Sequence, residues 1–280
     1  PAMDFLHYSG FCSLQYSGFC FCNFLYFYLT LNIETPVSIE VWSFEESIKY
    51  DFKKMKTLKK RRSFEELTGP EKVVSIKRRE KYYNDKRQEI KRLVNCNFDK
   101  RTSFLTLTQN EESSIRKNID VGNLEFQKFI KRLKRWLKKN RPGFDLRYIA
   151  TWERTKRGMI HYHIILFNFP FIPVNELQEV WGQGFIKINH VDHVEKSKKG
   201  LYVSKYFAKE LEFKDAKKKA YFTSRNLNKP QKFRLDLKEF DIKMFGKPDY
   251  ENKYKLIRKD GMEFKKSEVK YYAITKKNLE

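Results

Sequence analysis

Apolar and polar positions alternate with a period of two in four stretches of the middle of the chain, and recur at helical spacing between them. In Ser103-Phe104-Leu105-Thr106-Leu107-Thr108 the alternation sends Phe104, Thr106 and Thr108 to one face and Leu105 and Leu107 to the other, which predicts a buried strand. Phe126, Phe129, Ile130, Leu133 and Leu137 then fall on one helical stripe, with Asn123 as the expected N-cap and Asn140-Arg141-Pro142-Gly143 as the stop. Leu146 to Glu153 and Met159 to Phe167 read as two further strands joined by the turn Thr155-Lys156-Arg157-Gly158, an antiparallel hairpin. A short helix over Asn175 to Trp181, a strand over Gly184 to Val191 and a helix over Gly200 to Lys209 complete the core. Glu80 to Leu93 carries a sparse stripe of Tyr83, Ile90 and Leu93 on a solvated helix. Ser224 to Pro230 is a basic loop, followed by short alternating segments such as Val269 to Ile274.

This order predicts an α+β chain of four segments: an aromatic-rich stretch over 1–45, a basic helical stretch over 46–100, a core over 101–215 and a basic extension over 216–280. The first stretch contains the short repeat Tyr8-Ser9-Gly10-Phe11-Cys12 and Tyr16-Ser17-Gly18-Phe19-Cys20 ahead of an apolar run, Phe19 to Leu29. That run is shorter than the ~20 residues of a membrane span, and no basic start or small-residue cleavage site marks a signal peptide. A strand pair, a membrane-associating leader and a mis-assigned coding start all remain open for it.

Charge changes the picture. Lys and Arg number 59 against 35 acidic residues, a net charge of +24, and every Lys and Arg lies at or after Lys49. Such an excess points to a polyanionic partner, most simply nucleic acid, with an anionic membrane surface second. Lys59-Lys60-Arg61-Arg62, Lys77-Arg78-Arg79 and the outer face of the 126–137 helix are the dense patches, and that helix is expected to pack on a sheet and show a basic back to DNA. The four cysteines fit neither a disulfide framework nor a zinc ribbon, which points to a reducing, intracellular setting.

The candidate chemistry centres on His161-Tyr162-His163. On a strand, residues i and i+2 share a face, so both imidazoles point one way and Tyr162 points into the core. Two histidines can hold a divalent cation, but weakly by themselves, and a histidine pair on an ordinary sheet face is an equal alternative. The hairpin brings Glu153 to the histidine end as a third candidate ligand. Tyr202 and Tyr206, four apart on their helix, share a face with Lys205 and Lys209 nearby.

In this order, the stretch Phe104 to Thr108, the His-Tyr-His strand and Tyr202 to Lys209 resemble the three motifs of the rolling-circle replication initiators, the Rep proteins of small plasmids and single-stranded DNA phages within the HUH endonucleases. The resemblance spans roughly residues 85 to 215. It implies a ferredoxin- or RRM-like fold: a central antiparallel sheet with flanking helices and the histidine strand near its middle. It also implies a site in which His161, His163 and Glu153 hold Mg2+ or Mn2+. His190 and His193 are competing ligands, read in preference as a partly exposed polar pair near a helix start. The resemblance further implies a tyrosine nucleophile that joins covalently to the 5′ phosphate and leaves a 3′ hydroxyl primer.

Each residue type suits that chemistry. A phosphodiester is anionic and resists attack, so a cation is needed to polarise it. Tyrosine has a reference pKa of about 10, so Lys205 or Lys209 is needed to ease its ionisation or steady the phosphate. Tyr202 and Tyr206 are both expected to contribute. Alternatives are a relaxase, whose tyrosine precedes its histidines, a transposase of the same superfamily, and a non-catalytic RRM-like nucleic-acid binder. No Gly-x-x-x-x-Gly-Lys-Ser/Thr stretch occurs, so unwinding is expected to fall to a host helicase and extension to a host polymerase. The expected partner is single-stranded or origin DNA, no membrane partner is established, and the expected localisation is the cytoplasm of a bacterial host.

Overall fold

The computed structural model describes residues 30–44, 62–110, 117–155, 157–191, 221–233, 235, 241–260 and 263–276. In chain order these form β1 (Thr30–Glu34), β2 (Ser38–Phe44), α1 (Gly69–Asn97), β3 (Ser103–Thr108), α2 (Ile119–Asn140), β4 (Arg147–Arg154), β5 (Ile160–Phe167), α3 (Val174–Trp181), β6 (Ile186–His190), β7 (Phe222–Thr223), β8 (Gln231–Phe233), β9 (Tyr250–Asp260) and β10 (Glu263–Thr275). The class is α+β, as the periodicity predicts, with two five-stranded antiparallel sheets rather than one. The strands and the short helix expected between Ser103 and Val191 are all present within a residue or two of their predicted ends.

The first sheet has the order β6-β3-β5-β4-β7, which places the histidine strand β5 in the middle. Its two faces are covered by different helices. Leu105, Leu107, Trp152, Tyr162 and Ile164 pack against α2 and α3, whose Phe126, Phe129, Leu133 and Trp181 are buried with them. On the opposite face Ile149, Ile165 and Phe167 meet Tyr83, Ile90 and Val94 of α1. Fully burying apolar side chains of this size stabilises by roughly 1.5–3 kcal/mol each before ordering costs are met. Alternating residues of one strand thus serve two separate cores.

α2 starts earlier than its apolar stripe predicts. Asn118 is its N-cap, accepting from the backbone N–H groups of Asp120 and Val121 at 3.0 and 3.3 Å. Asn123 lies inside the helix and instead accepts a hydrogen bond from the Tyr162 hydroxyl at 2.9 Å. Gly122, one residue before, lets that hydroxyl approach: a Cβ there would stand 2.9 Å from it. α1 is longer than the 80–93 reading, with the Glu71 carboxylate accepting from the Thr68 N–H at 2.9 Å and Pro70 in the first turn. Only its second half packs, and Val73, Val74 and Ile76 stay exposed.

The second sheet, β8-β1-β2-β10-β9, joins residues 30–44 to residues 231–275. Within the aromatic first segment, the described part is therefore a strand pair, while the repeat and the run Phe19 to Leu29 lie outside the described residues. Ile39, Val41, Tyr272 and Ile274 form its small core under Ile242 and Phe245 of a 3-10 turn. The sheet is tied to α1 by Glu40 and Arg92, which meet through two hydrogen bonds of 3.2 and 2.6 Å while both are largely shielded. Among the described residues no helix is long and apolar enough to cross a membrane.

Candidate functional site

The β4–β5 hairpin builds the site from a tight turn. Gly158, at φ +77°, donates to the Thr155 carbonyl at 2.8 Å, and Thr155 N–H returns to Met159 O at 2.8 Å. Only a residue without a Cβ adopts that left-handed backbone without strain. The register that follows sets Glu153 opposite His161 and Thr151 opposite His163, while β3 on the other side sets Thr106 opposite His163 and Thr108 opposite His161. His161, His163, Glu153 and Thr106 thereby share one face.

The side chains close on one another. The Glu153 carboxylate lies 2.7 Å from His163 Nε2 and 3.9 Å from His161 Nδ1. His163 Nδ1 lies 3.2 Å from the Thr106 hydroxyl, and its ring stacks on Phe104 at 5.6 Å. A hydroxyl can give or take the hydrogen bond, so Thr106 supports His163 in either tautomer. His161 Nε2 is buried with no hydrogen-bond partner, an orphaned donor or acceptor of the kind folded proteins seldom leave without a function. Burial holds the His161 pKa below the ordinary imidazole value; Glu153 pulls it up in part and His163 pushes it further down. A lone pair free of its proton is the form that binds a cation.

Two imidazoles and a carboxylate within reach of one another suit a divalent cation, and the unpartnered His161 Nε2 is an open ligand position. As they stand, Glu153 is hydrogen-bonded to His163 and 3.9 Å from His161, and among the described residues no group of three or more His, Cys, Asp or Glu is arranged as a metal-holding cluster.

Of the competing ligands, His190 is exposed at the end of β6 opposite Ser103. That is three residues along β3 from Thr106, roughly 10 Å at strand rise, so it does not join the cluster. His193, Tyr202, Lys205, Tyr206 and Lys209 lie outside the described residues. Tyr162 is fully buried and stacked on Phe126, as its opposite-face position predicts.

α2 packs on the sheet as expected and leaves Lys128, Lys131, Lys134, Arg135, Lys138 and Lys139 exposed on its outer side. α2 covers the face of the sheet opposite the histidines, and α1 covers theirs. Arg132 is spent inside the fold, donating to the Val180 and Trp181 carbonyls at 2.8 and 2.7 Å and so capping α3. Thr106 is the site residue that sequence reasoning missed: its alternation with Phe104 gave the face, but its neighbour strand is a tertiary fact.

Residues 102–211 match the family model described as Replication-associated protein ORF2. The matched segment takes in all of β3 through β6, with His161, His163 and Glu153, and extends over Tyr202 to Lys209. It leaves the second sheet and α1 wholly outside. No curated protein and no solved structure matches the chain.

Proposed function

We propose that this chain, whose residues 102–211 fall to the Replication-associated protein ORF2 family of rolling-circle initiator type, starts replication by nicking and rejoining single-stranded origin DNA. The observation that carries the reading is the cluster of His161, His163 and Glu153 on the central strand pair, with one imidazole nitrogen buried and unpaired. A middle histidine strand in an antiparallel sheet clothed by helices supports the ferredoxin- or RRM-like HUH fold as well.

His161, His163 and Glu153 would hold Mg2+ or Mn2+, which when bound polarises the scissile phosphate and offsets charge on its oxygens. Thr106 fixes the His163 ring, and Phe104 limits water on its flank. In the proposed reaction the hydroxyl of Tyr202 or Tyr206 loses its proton and its oxygen attacks phosphorus. The bond to the 3′ oxygen breaks, that oxygen takes a proton, and the 5′ phosphate stays on the tyrosine. Lys205 and Lys209 favour the phenolate and steady the phosphate. Attack by the 3′ hydroxyl on the phosphotyrosine reverses the step and rejoins the strand. Helicase and polymerase come from the host.

The test is incubation with single-stranded DNA from the replicon and Mn2+, followed by denaturing electrophoresis and peptide mapping of any adduct. A denaturation-resistant adduct on Tyr202 or Tyr206, lost in His161→Ala with His163→Ala, is the expected result. No adduct from the wild-type chain across the replicon sinks the catalytic reading in favour of simple DNA binding, and an adduct that survives the double histidine variant sinks the metal assignment.

A further inference from the structure

A concave groove of about 680 Å3 lies between α1 and residues 221–232, at the β7 edge of the first sheet. Arg92, Arg225, Lys229 and Lys232 line it, with Glu89 as its acid. Two of these charges are already answered, because Arg92 pairs with Glu40 and Glu89 pairs with Lys86 at 2.6 Å. Arg225, Lys229 and Lys232 are exposed and form no ion pair among the described residues; Lys232 acts on Glu89 only through space. Three cations without a bonded acid in one cleft create a field that mobile anions alone would fill only loosely.

Its walls are aromatic as well as basic. A second hollow of about 590 Å3 shares Tyr221, Thr223 and Arg225 with the first and adds Tyr82, Lys86 and Tyr148. Lys86 sits over the rings of both Tyr82 and Tyr221, 5.7 and 5.8 Å from their centres, and Tyr82 is about half exposed at the rim. Interleaved cations and ring faces are the surface on which an unpaired nucleic-acid strand lies.

The position is also telling. Thr223 is opposite Ile149 and Phe222 is opposite Ala150, so the next step of the same ladder brings Tyr221 level with Thr151, the neighbour of His163. Two strand spacings, roughly 10 Å, therefore separate the groove's wall from the histidine row. Both lie on the sheet face that α1 partly covers, and Lys232 comes from β8 of the second sheet.

From this we infer that the groove between α1 and residues 221–232 is a binding track for the sugar-phosphate backbone of single-stranded DNA, outside the cleavage site. Arg225, Lys229 and Lys232 are its phosphate contacts. The inference rests on the proposed function for its choice of DNA, but its test does not require cleavage. A fluorescent oligothymidylate is titrated with the full chain by anisotropy, in EDTA, over a range of salt concentrations. Arg225→Ala/Lys229→Ala/Lys232→Ala is compared with Lys131→Ala/Lys134→Ala/Lys138→Ala on the outer face of α2.

The groove variant should lower the salt slope of log affinity by about 2, at ~0.7 per phosphate contact, and the α2 variant should leave it unchanged. An unchanged slope in the groove variant, or an equal fall in both, overturns the proposal. Acetylation footprinting of the wild-type chain gives a readout free of substitutions: DNA should protect Lys229 and Lys232 more than Lys131 and Lys134, and equal labelling overturns it. A chain that forms no adduct yet shows these effects loses the nickase reading alone; one that nicks with an unchanged slope in the groove variant loses the track alone.

Discussion

Gly122→Ala should be destabilising in the native chain and stabilising once the Tyr162 hydroxyl is removed. The added methyl would stand 2.9 Å from the Tyr162 oxygen, well inside ordinary contact. Tyr162 has nowhere to go, since it is fully buried, stacked on Phe126 with ring centres 4.8 Å apart, and held by its bond to Asn123. Overpacking of this kind costs about 1–3 kcal/mol. Tyr162→Phe alone should cost about 1 kcal/mol, from the hydrogen bond lost by the Asn123 carbonyl. In the Phe background the next neighbours of the methyl are the Gln109 amide nitrogen at 3.5 Å and Ile160 Cδ1 at 3.7 Å, which are ordinary contacts. There the change should gain up to about 0.8 kcal/mol of helix propensity. The cycle therefore predicts a coupling of about 1–4 kcal/mol. Urea unfolding followed by the fluorescence of buried Trp152 and Trp181 measures it. Equal cost of Gly122→Ala in both backgrounds would refute the close approach. Because Tyr162 separates His161 from His163 on β5, Mn2+ affinity should fall with the single glycine change and recover in the double variant.

Three further outcomes are expected. Thr106→Val keeps the shape of the residue but removes the partner of His163 Nδ1, so Mn2+ affinity measured by calorimetry should fall about 10–100-fold; equal affinity would deny Thr106 its orienting role. Burial raises the Cys96 thiol from 9.0 to about 11, which leaves about a hundredfold less thiolate near pH 8 and should slow its alkylation in proportion; site-resolved mass spectrometry showing normal reactivity would contradict the packing of α1. Glu40→Ala strands the shielded Arg92 guanidinium without its carboxylate and should cost about 3 kcal/mol, read as a lowered urea midpoint, whereas a near-neutral effect would mean that the second sheet is not fastened to α1 in this way.

Local periodicity made most of the first sheet legible. β3, β6 and the first half of β5 carry a two-residue alternation, β4 and the end of β5 are short apolar runs, and the Thr155–Gly158 turn makes β4 and β5 neighbours, so Glu153 could be placed beside the histidines without any tertiary information. The start of α2 was not legible, because Asp120, Val121 and Gly122 break the apolar stripe while still being helical. Asn123 looks like a cap in sequence; its amide is instead committed to Tyr162 on another element. Nor does any local pattern say that α1 covers the histidine face or that α2 covers the other. Those outcomes depend on Ile149, Ile165 and Phe167 choosing Tyr83, Ile90 and Val94 as partners. The second sheet was hidden for the same reason in stronger form, since Thr30–Phe44 finds its strands beyond Lys229.

That last arrangement sets a schedule for the growing chain. The β1–β2 hairpin is made early, yet β8 closes one of its edges and β10 the other. On a ribosome working at ~5–20 residues per second, the roughly 230 residues from Phe44 to Thr275 take about 10–50 s. For most of that interval two open strand edges await their complement while the histidine sheet can already assemble. A chain cut short before β10 would keep one edge permanently available to other chains, so loss of the last strands should show first as insolubility rather than as a defect in DNA chemistry.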